Sequence, residues 1–106
     1  MEFIERSKVD YRVEGRGLDE IINYNEYLVL KAMRELYRKD PSLCRCPICV
    51  EDAYALALNL LPPRYIQVTS SRTYETSRHY IGEEEVRARV LESIVKVKEN
   101  PNHSAS

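Results

Sequence analysis

The chain has 106 residues, enough for one domain with a modest core, and none of its apolar runs approaches the roughly 18 residues of a membrane span. Charged side chains make up 31% against 43% hydrophobic, interspersed to a formal net charge of −1, which argues against a protein that grips nucleic acid through a basic stripe. The start, Met1-Glu2-Phe3-Ile4-Glu5-Arg6, lacks the basic and apolar regions of a signal peptide, so a cytoplasmic location is expected, where clustered cysteines hold metal more often than they form disulfides.

Residues 1–17 read as an N-terminal arm, either a short strand or disordered. Val9, Tyr11 and Val13 alternate with Asp10, Arg12 and Glu14 as far as Gly15-Arg16-Gly17. From Asp19 the pattern turns helical. Ile22, Leu28, Val29, Ala32, Met33 and Leu36 share one broad stripe, with Glu20, Glu26, Lys31, Arg34, Glu35 and Lys39 elsewhere. Asp19 is the expected N-cap, Arg38 and Lys39 suit the negative end, and Asp40-Pro41 stops the helix.

The three cysteines of the chain follow at once, within Cys44-Arg45-Cys46-Pro47-Ile48-Cys49. Pro47 at a first helical position opens a second helix expected to run to Leu61. Residues 53–61 leave almost no polar face, and a helix apolar all round is buried all round. Two other helices of so small a chain cannot enclose it, so this helix is expected to meet a second subunit. Asn59, set among these leucines, is expected to be buried and bonded to carbonyls of the Pro62-Pro63 turn.

Pro62-Pro63 ends that helix because neither residue has an N–H to donate. Residues 64–69 alternate and are rich in strand formers; residues 72–76 read as a second short strand inside a polar stretch. The last helix is the best marked, with Gly82 before Glu83-Glu84-Glu85 and with Lys96 and Lys98 ahead of Asn100-Pro101. Val86, Val90, Ile94 and Val97 form its stripe with Leu91 beside it. Glu83 with Arg87 and Glu85 with Arg89 are expected to pair along a solvated face.

Zinc takes thiolates and imidazoles in tetrahedral sets, and Cys46-x-x-Cys49 is a chelating step. The positive end of the second helix should favour thiolate there. Three reduced cysteines without metal are the plain alternative. A redox pair Cys46-Pro47-Ile48-Cys49 lacks the strand-then-helix setting such pairs occupy. Three thiols leave a tetrahedral ion one ligand short, with His103, His79, Asp52 and water as the choices.

Cys44-x-Cys46-x-x-Cys49, Asp52 and the block Ala55-Leu56-Ala57-Leu58-Asn59-x-Leu61-Pro62-Pro63-Arg64-Tyr65 resemble the signature of the ComFB family, the late-competence-development proteins. Asn23-Tyr24-x-Glu26-x-Leu28-Val29 is similar to that family's first-helix motif, and Val97 with Asn100-Pro101 and His103 to its close. The resemblance implies a mostly α, three-helix small domain with a small β element over residues 18–103, zinc-stapled and homodimeric, with 104–106 as a tail. It implies a zinc site in cysteine-bearing members, with the fourth ligand after the last helix; here that segment holds His103, which with Cys44, Cys46 and Cys49 makes the expected set. Relatives without the cysteines are receptors for cyclic dinucleotides, and no enzymatic activity attaches to the family.

Two departures stand out: Asn25, where the family usually has Met, and Ser70-Ser71-Arg72, where a glycine is common. Arg64, Tyr65, Arg72, Arg78 and Tyr80 offer the forked donors and ring faces that cyclic di-GMP or cyclic di-AMP requires, although a solvated polar loop carries the same residues. The expected function is a non-enzymatic zinc-binding regulator of this type, either a dinucleotide receptor or a protein-docking adaptor. A zinc-ribbon-like nucleic-acid binder is the further alternative, against which stand the single cysteine group and the net charge.

Overall fold

Amphipathic periodicity produces three helices: α1, Tyr24–Lys39; α2, Pro47–Asn59; and α3, Glu83–Glu99. In this computed structural model the described residues are 5–67, 72–73 and 81–102, the side chains of 67, 72 and 73 excepted. The helices close one core. Leu28, Val29, Ala32 and Met33 of α1 meet Ala53 and Ala57 of α2, Leu61 beyond it, and Val86, Val90 and Ile94 of α3. Small side chains at 32, 53, 57 and 93 let the helices approach closely, and buried Ser93 is satisfied by donating to the Val90 carbonyl at 2.7 Å. Each fully buried valine or leucine contributes about 1.5–3 kcal/mol.

The expected start of α1 at Asp19 is wrong. Ile21–Asn23 is instead a strand, β3, pairing antiparallel with β4, Tyr65–Gln67, in the register Ile21 to Gln67, Ile22 to Ile66 and Asn23 to Tyr65. The third strand of this sheet, β5, is Arg72–Thr73, antiparallel to β4. β-branched Ile21 and Ile22 prefer a ladder when a partner strand is at hand, and no local pattern shows that partner. Asn23 then caps α1. Its Oδ1 accepts from Asn25 N at 3.2 Å and from Arg64 N at 2.9 Å, so one side chain starts the helix and ties it to the head of β4.

The arm is ordered differently from a single strand. A short 3-10 turn at Arg6–Lys8 precedes a hairpin of β1, Arg12–Val13, and β2, Arg16–Gly17. Glu14 at φ 50° and Gly15 at φ 75° form its two-residue turn, where glycine takes the left-handed backbone without strain. Residues 5–20 are exposed apart from half-buried Tyr11. The radius of gyration, 16.0 Å, exceeds the roughly 13 Å of a compact chain of this length.

α2 buries a single ridge, Cys49, Ala53 and Ala57, within one chain. Ile48, Ala55 and Asn59 lie exposed on the opposite side, at intervals of seven and four residues. Asn59 is therefore not the buried amide expected of it, because it falls some 160° round the helix from Ala57. The proline-turn carbonyl it was expected to serve is taken by Asn25, 2% exposed, whose Nδ2 donates to Pro62 O at 2.6 Å. The expected i,i+4 pairs on α3 are also replaced. Glu83 meets Lys31 of α1 at 3.4 Å, Arg87 meets Glu35 of α1 at 2.9 Å, and Arg89 meets Glu92 at 2.8 Å. Leu91 stands 51% exposed beside the stripe.

Candidate metal centre

The link between α1 and α2 is short and shaped by its own side chains. Asp40, the C-cap of α1, accepts from Ser42 N at 3.0 Å and from Ser42 Oγ at 2.5 Å. These bonds hold its carboxyl below the ordinary carboxylate range. The turn sends half-buried Leu43 onto the core, and the next residue is Cys44. Cys46 is the N-cap of α2 and Pro47 its first helical residue; Cys46 Sγ accepts the N–H of Cys49 at 3.4 Å. The N-cap-to-third-residue spacing that caps a helix is also the Cys-x-x-Cys spacing, so starting the helix sets two thiols side by side.

The three Sγ atoms lie within 4.8 Å of one another. A tetrahedral zinc ion with sulfur at about 2.3 Å needs about 3.8 Å between sulfurs. The cluster thus closes on such an ion with sub-ångström to one-ångström movement, and the three cysteines could hold a metal ion. Access is graded: Cys44 exposed, Cys46 half-buried, Cys49 at 3%. The expected lowering of the thiol by the helix end does not prevail at Cys49. Burial first, then its hydrogen bonds and repulsion with Cys44 and Cys46, pushes this thiol up to about 12. Three thiols this close resist ionising together unless a cation takes their charge.

The surroundings of the thiols add groups that the cysteine spacing does not announce. Arg45, between two of the cysteines, donates from Nη2 to the carbonyls of Tyr37 and, at 3.5 Å, Asp40, capping the last turn of α1. Its guanidinium stands 5.7 Å from the centre of the Tyr37 ring. The Tyr37 hydroxyl is pushed up by burial and by the charges of Cys49 and Cys44, with Arg45 opposing. Ile94, Val97 and Lys98 from the end of α3 line a small cleft with Tyr37, Cys44 and Cys49. The signal was present in Cys44-Arg45-Cys46, a cation placed between two thiols.

Of the other expected ligands, His103 and His79 lie outside the described residues, as do Arg78 and Tyr80. Asp52 is half-buried on α2 and is not part of the thiol group. Arg64 stacks its guanidinium 5.0 Å from the centre of the Tyr24 ring, while Tyr65, 56% exposed, lines a separate cleft with Arg6, Tyr11, Asn23 and Glu26. Arg72 sits on β5, opposite Gln67.

The family model described as late competence development protein ComFB matches residues 22–101. No curated protein and no solved structure matches the chain significantly. None of the helices in the described residues is long and apolar enough to cross a membrane.

Proposed function

The chain belongs to the ComFB family of late competence development proteins, and from that membership we propose a non-enzymatic regulator that is held together by zinc and works as a homodimer. The observation that carries the zinc reading is the thiol triad closed within 4.8 Å at the head of α2. Zinc, when bound, supplies a structural cross-link. Cys44, Cys46 and Cys49 hold it, and His103 completes the set. α3 ends beside the cysteines with Lys98 in their cleft. From Glu99, the last helical residue, position 103 is four residues on, a span of at most about 14 Å. With four protein ligands the ion has no open position for catalysis.

The dimer reading rests on α2, whose Ile48 is 43% exposed in line with Ala55 while Leu56 is half-buried. Joining two copies along this ridge supplies the burial that one chain leaves incomplete. The regulatory output is either reception of a cyclic dinucleotide, through Arg64, Tyr65, Arg72 and Arg78, or protein docking. Titration of wild type and of Arg64→Ala and Tyr65→Ala with cyclic di-GMP and cyclic di-AMP separates these. Absence of binding at high micromolar ligand leaves docking.

Structural zinc sites in peptides contribute on the order of 10–16 kcal/mol, against a net stability of about 5–15 kcal/mol. Thermal unfolding followed by circular dichroism, with and without chelator, tests the staple. Chelation should lower the midpoint by tens of degrees or unfold the chain, and His103→Ala should do part of the same. An unchanged midpoint removes the staple.

A further inference from the structure

Tyr37 borders two hollows at once. On one side it meets Cys44 and Cys49. On the other it walls a groove of about 410 Å³ between α1 and α2. Met33 and Val50 belong to the groove's lining, which is almost wholly apolar, and Leu30 and Tyr54 stand on its sides. Leu30 is 37% exposed, so this apolar surface is open in the single chain. The charges on the lining are Arg34 and Arg45 against Glu51.

This groove lies on a different flank of α2 from the ridge of Ile48, Ala55 and Asn59. Val50 and Tyr54 are displaced from that ridge by roughly 100° or more. A two-fold contact centred on the groove would set a hollow against a hollow and bring Arg34 and Arg45 towards the same cations of the other copy. Apolar lining and surplus positive charge instead complement apolar side chains with a carboxylate beside them, the chemistry of an amphipathic segment docking in a groove.

Arg45 is also the residue between two of the cysteines. Metal binding would fix the backbone on either side of it, and its guanidinium is already committed to the Tyr37 and Asp40 carbonyls and the Tyr37 ring. We propose that this groove docks an apolar, acid-bearing segment of another protein, and that metal held by Cys44, Cys46 and Cys49 organises it through Arg45 and Tyr37. The second half rests on the zinc reading above. Arg45 supplies part of the groove's charge, and its contacts with Tyr37 and Asp40 fix where that charge stands.

The probe is anilinonaphthalene sulfonate, an apolar ring system with one anionic group, and its uncharged relative phenylnaphthylamine is the control. Fluorescence titration of metal-replete protein should show that Leu30→Glu weakens both dyes by about tenfold or more while the circular dichroism spectrum stays unchanged. Arg45→Gln should weaken the anionic dye by about threefold to tenfold at low salt and leave the neutral dye within about twofold. Chelation, at a temperature below the chelated chain's own midpoint where circular dichroism shows the helices retained, should weaken the anionic dye on the native chain and have less effect on Arg45→Gln. Native-like binding of both dyes by Leu30→Glu overturns the docking site. Conversion of a dimer to a monomer by Leu30→Glu, read by light scattering, assigns the groove to a second copy and overturns it too. Bound metal whose removal leaves dye binding unchanged overturns the coupling. A protein that carries no metal sinks the zinc reading and the coupling with it, and the groove is then judged on Leu30→Glu and Arg45→Gln alone.

Discussion

The amide of Asn25 holds two distant segments together, joining the first turn of α1 to the Pro62 carbonyl at 2.6 Å from a position 2% exposed. Replacing it by alanine leaves that carbonyl without its partner, which costs about 1–3 kcal/mol. Urea unfolding of Asn25→Ala should show this loss with little change in slope. At Cys49 the consequence is pH-dependent. A thiol held up at about 12 must lose its proton to bind metal, so binding expels protons. Apparent zinc affinity, measured by competition with a chromophoric chelator, should therefore fall as pH drops from 8 to 6, by about tenfold or more per unit where each thiolate bound displaces a proton. An affinity independent of pH would mean that the thiols are not the ligands. Asn25 escaped sequence reasoning because its partner lies 37 residues away. Asn59, nearer the prolines, drew that role on proximity alone, and helical phase turned it outward.

At the scale of elements, α1 and α3 are joined by apolar burial and by ion pairs at their rims. Val90, 0% exposed at the centre of α3, should cost about 2–3 kcal/mol as Val90→Ala. Arg87→Ala removes a half-exposed pair with Glu35 and should cost less than about 1 kcal/mol, diminishing with salt. Chemical denaturation at two salt concentrations checks both. The helices were legible because their signals are local. Pro47 opens α2, three glutamates open α3, and the α1 stripe at 28, 29, 32 and 33 is the buried face. The start of α1 was not legible, because Ile21–Asn23 becomes a strand only by pairing with Tyr65–Gln67. For the same reason Glu83 and Arg87 were paired with each other in sequence, when α1 lies close enough to take both.

For the whole molecule, the exposed arm and the cysteine knuckle have opposite expected weights. Residues 5–20 bury almost nothing, so removing 1–17 should reduce the hydrodynamic radius while shifting the thermal midpoint by only a few degrees. The knuckle is small but joins the end of α1, the start of α2 and the end of α3. Its thiols were legible in the sequence because six residues carry all three. Arg45 and Tyr37, which relate them to the groove, were not, since the Arg45 guanidinium meets the Tyr37 carbonyl and ring only once the link after α1 folds back onto that helix's end. The staple and its coupling to the groove both require that these thiols bind zinc. Elemental analysis of the purified native chain and of Cys49→Ser tests that binding most directly. About one zinc per chain in the native protein and none in Cys49→Ser is the predicted result; a native chain that takes up no zinc, even after incubation with the ion under reducing conditions, contradicts it.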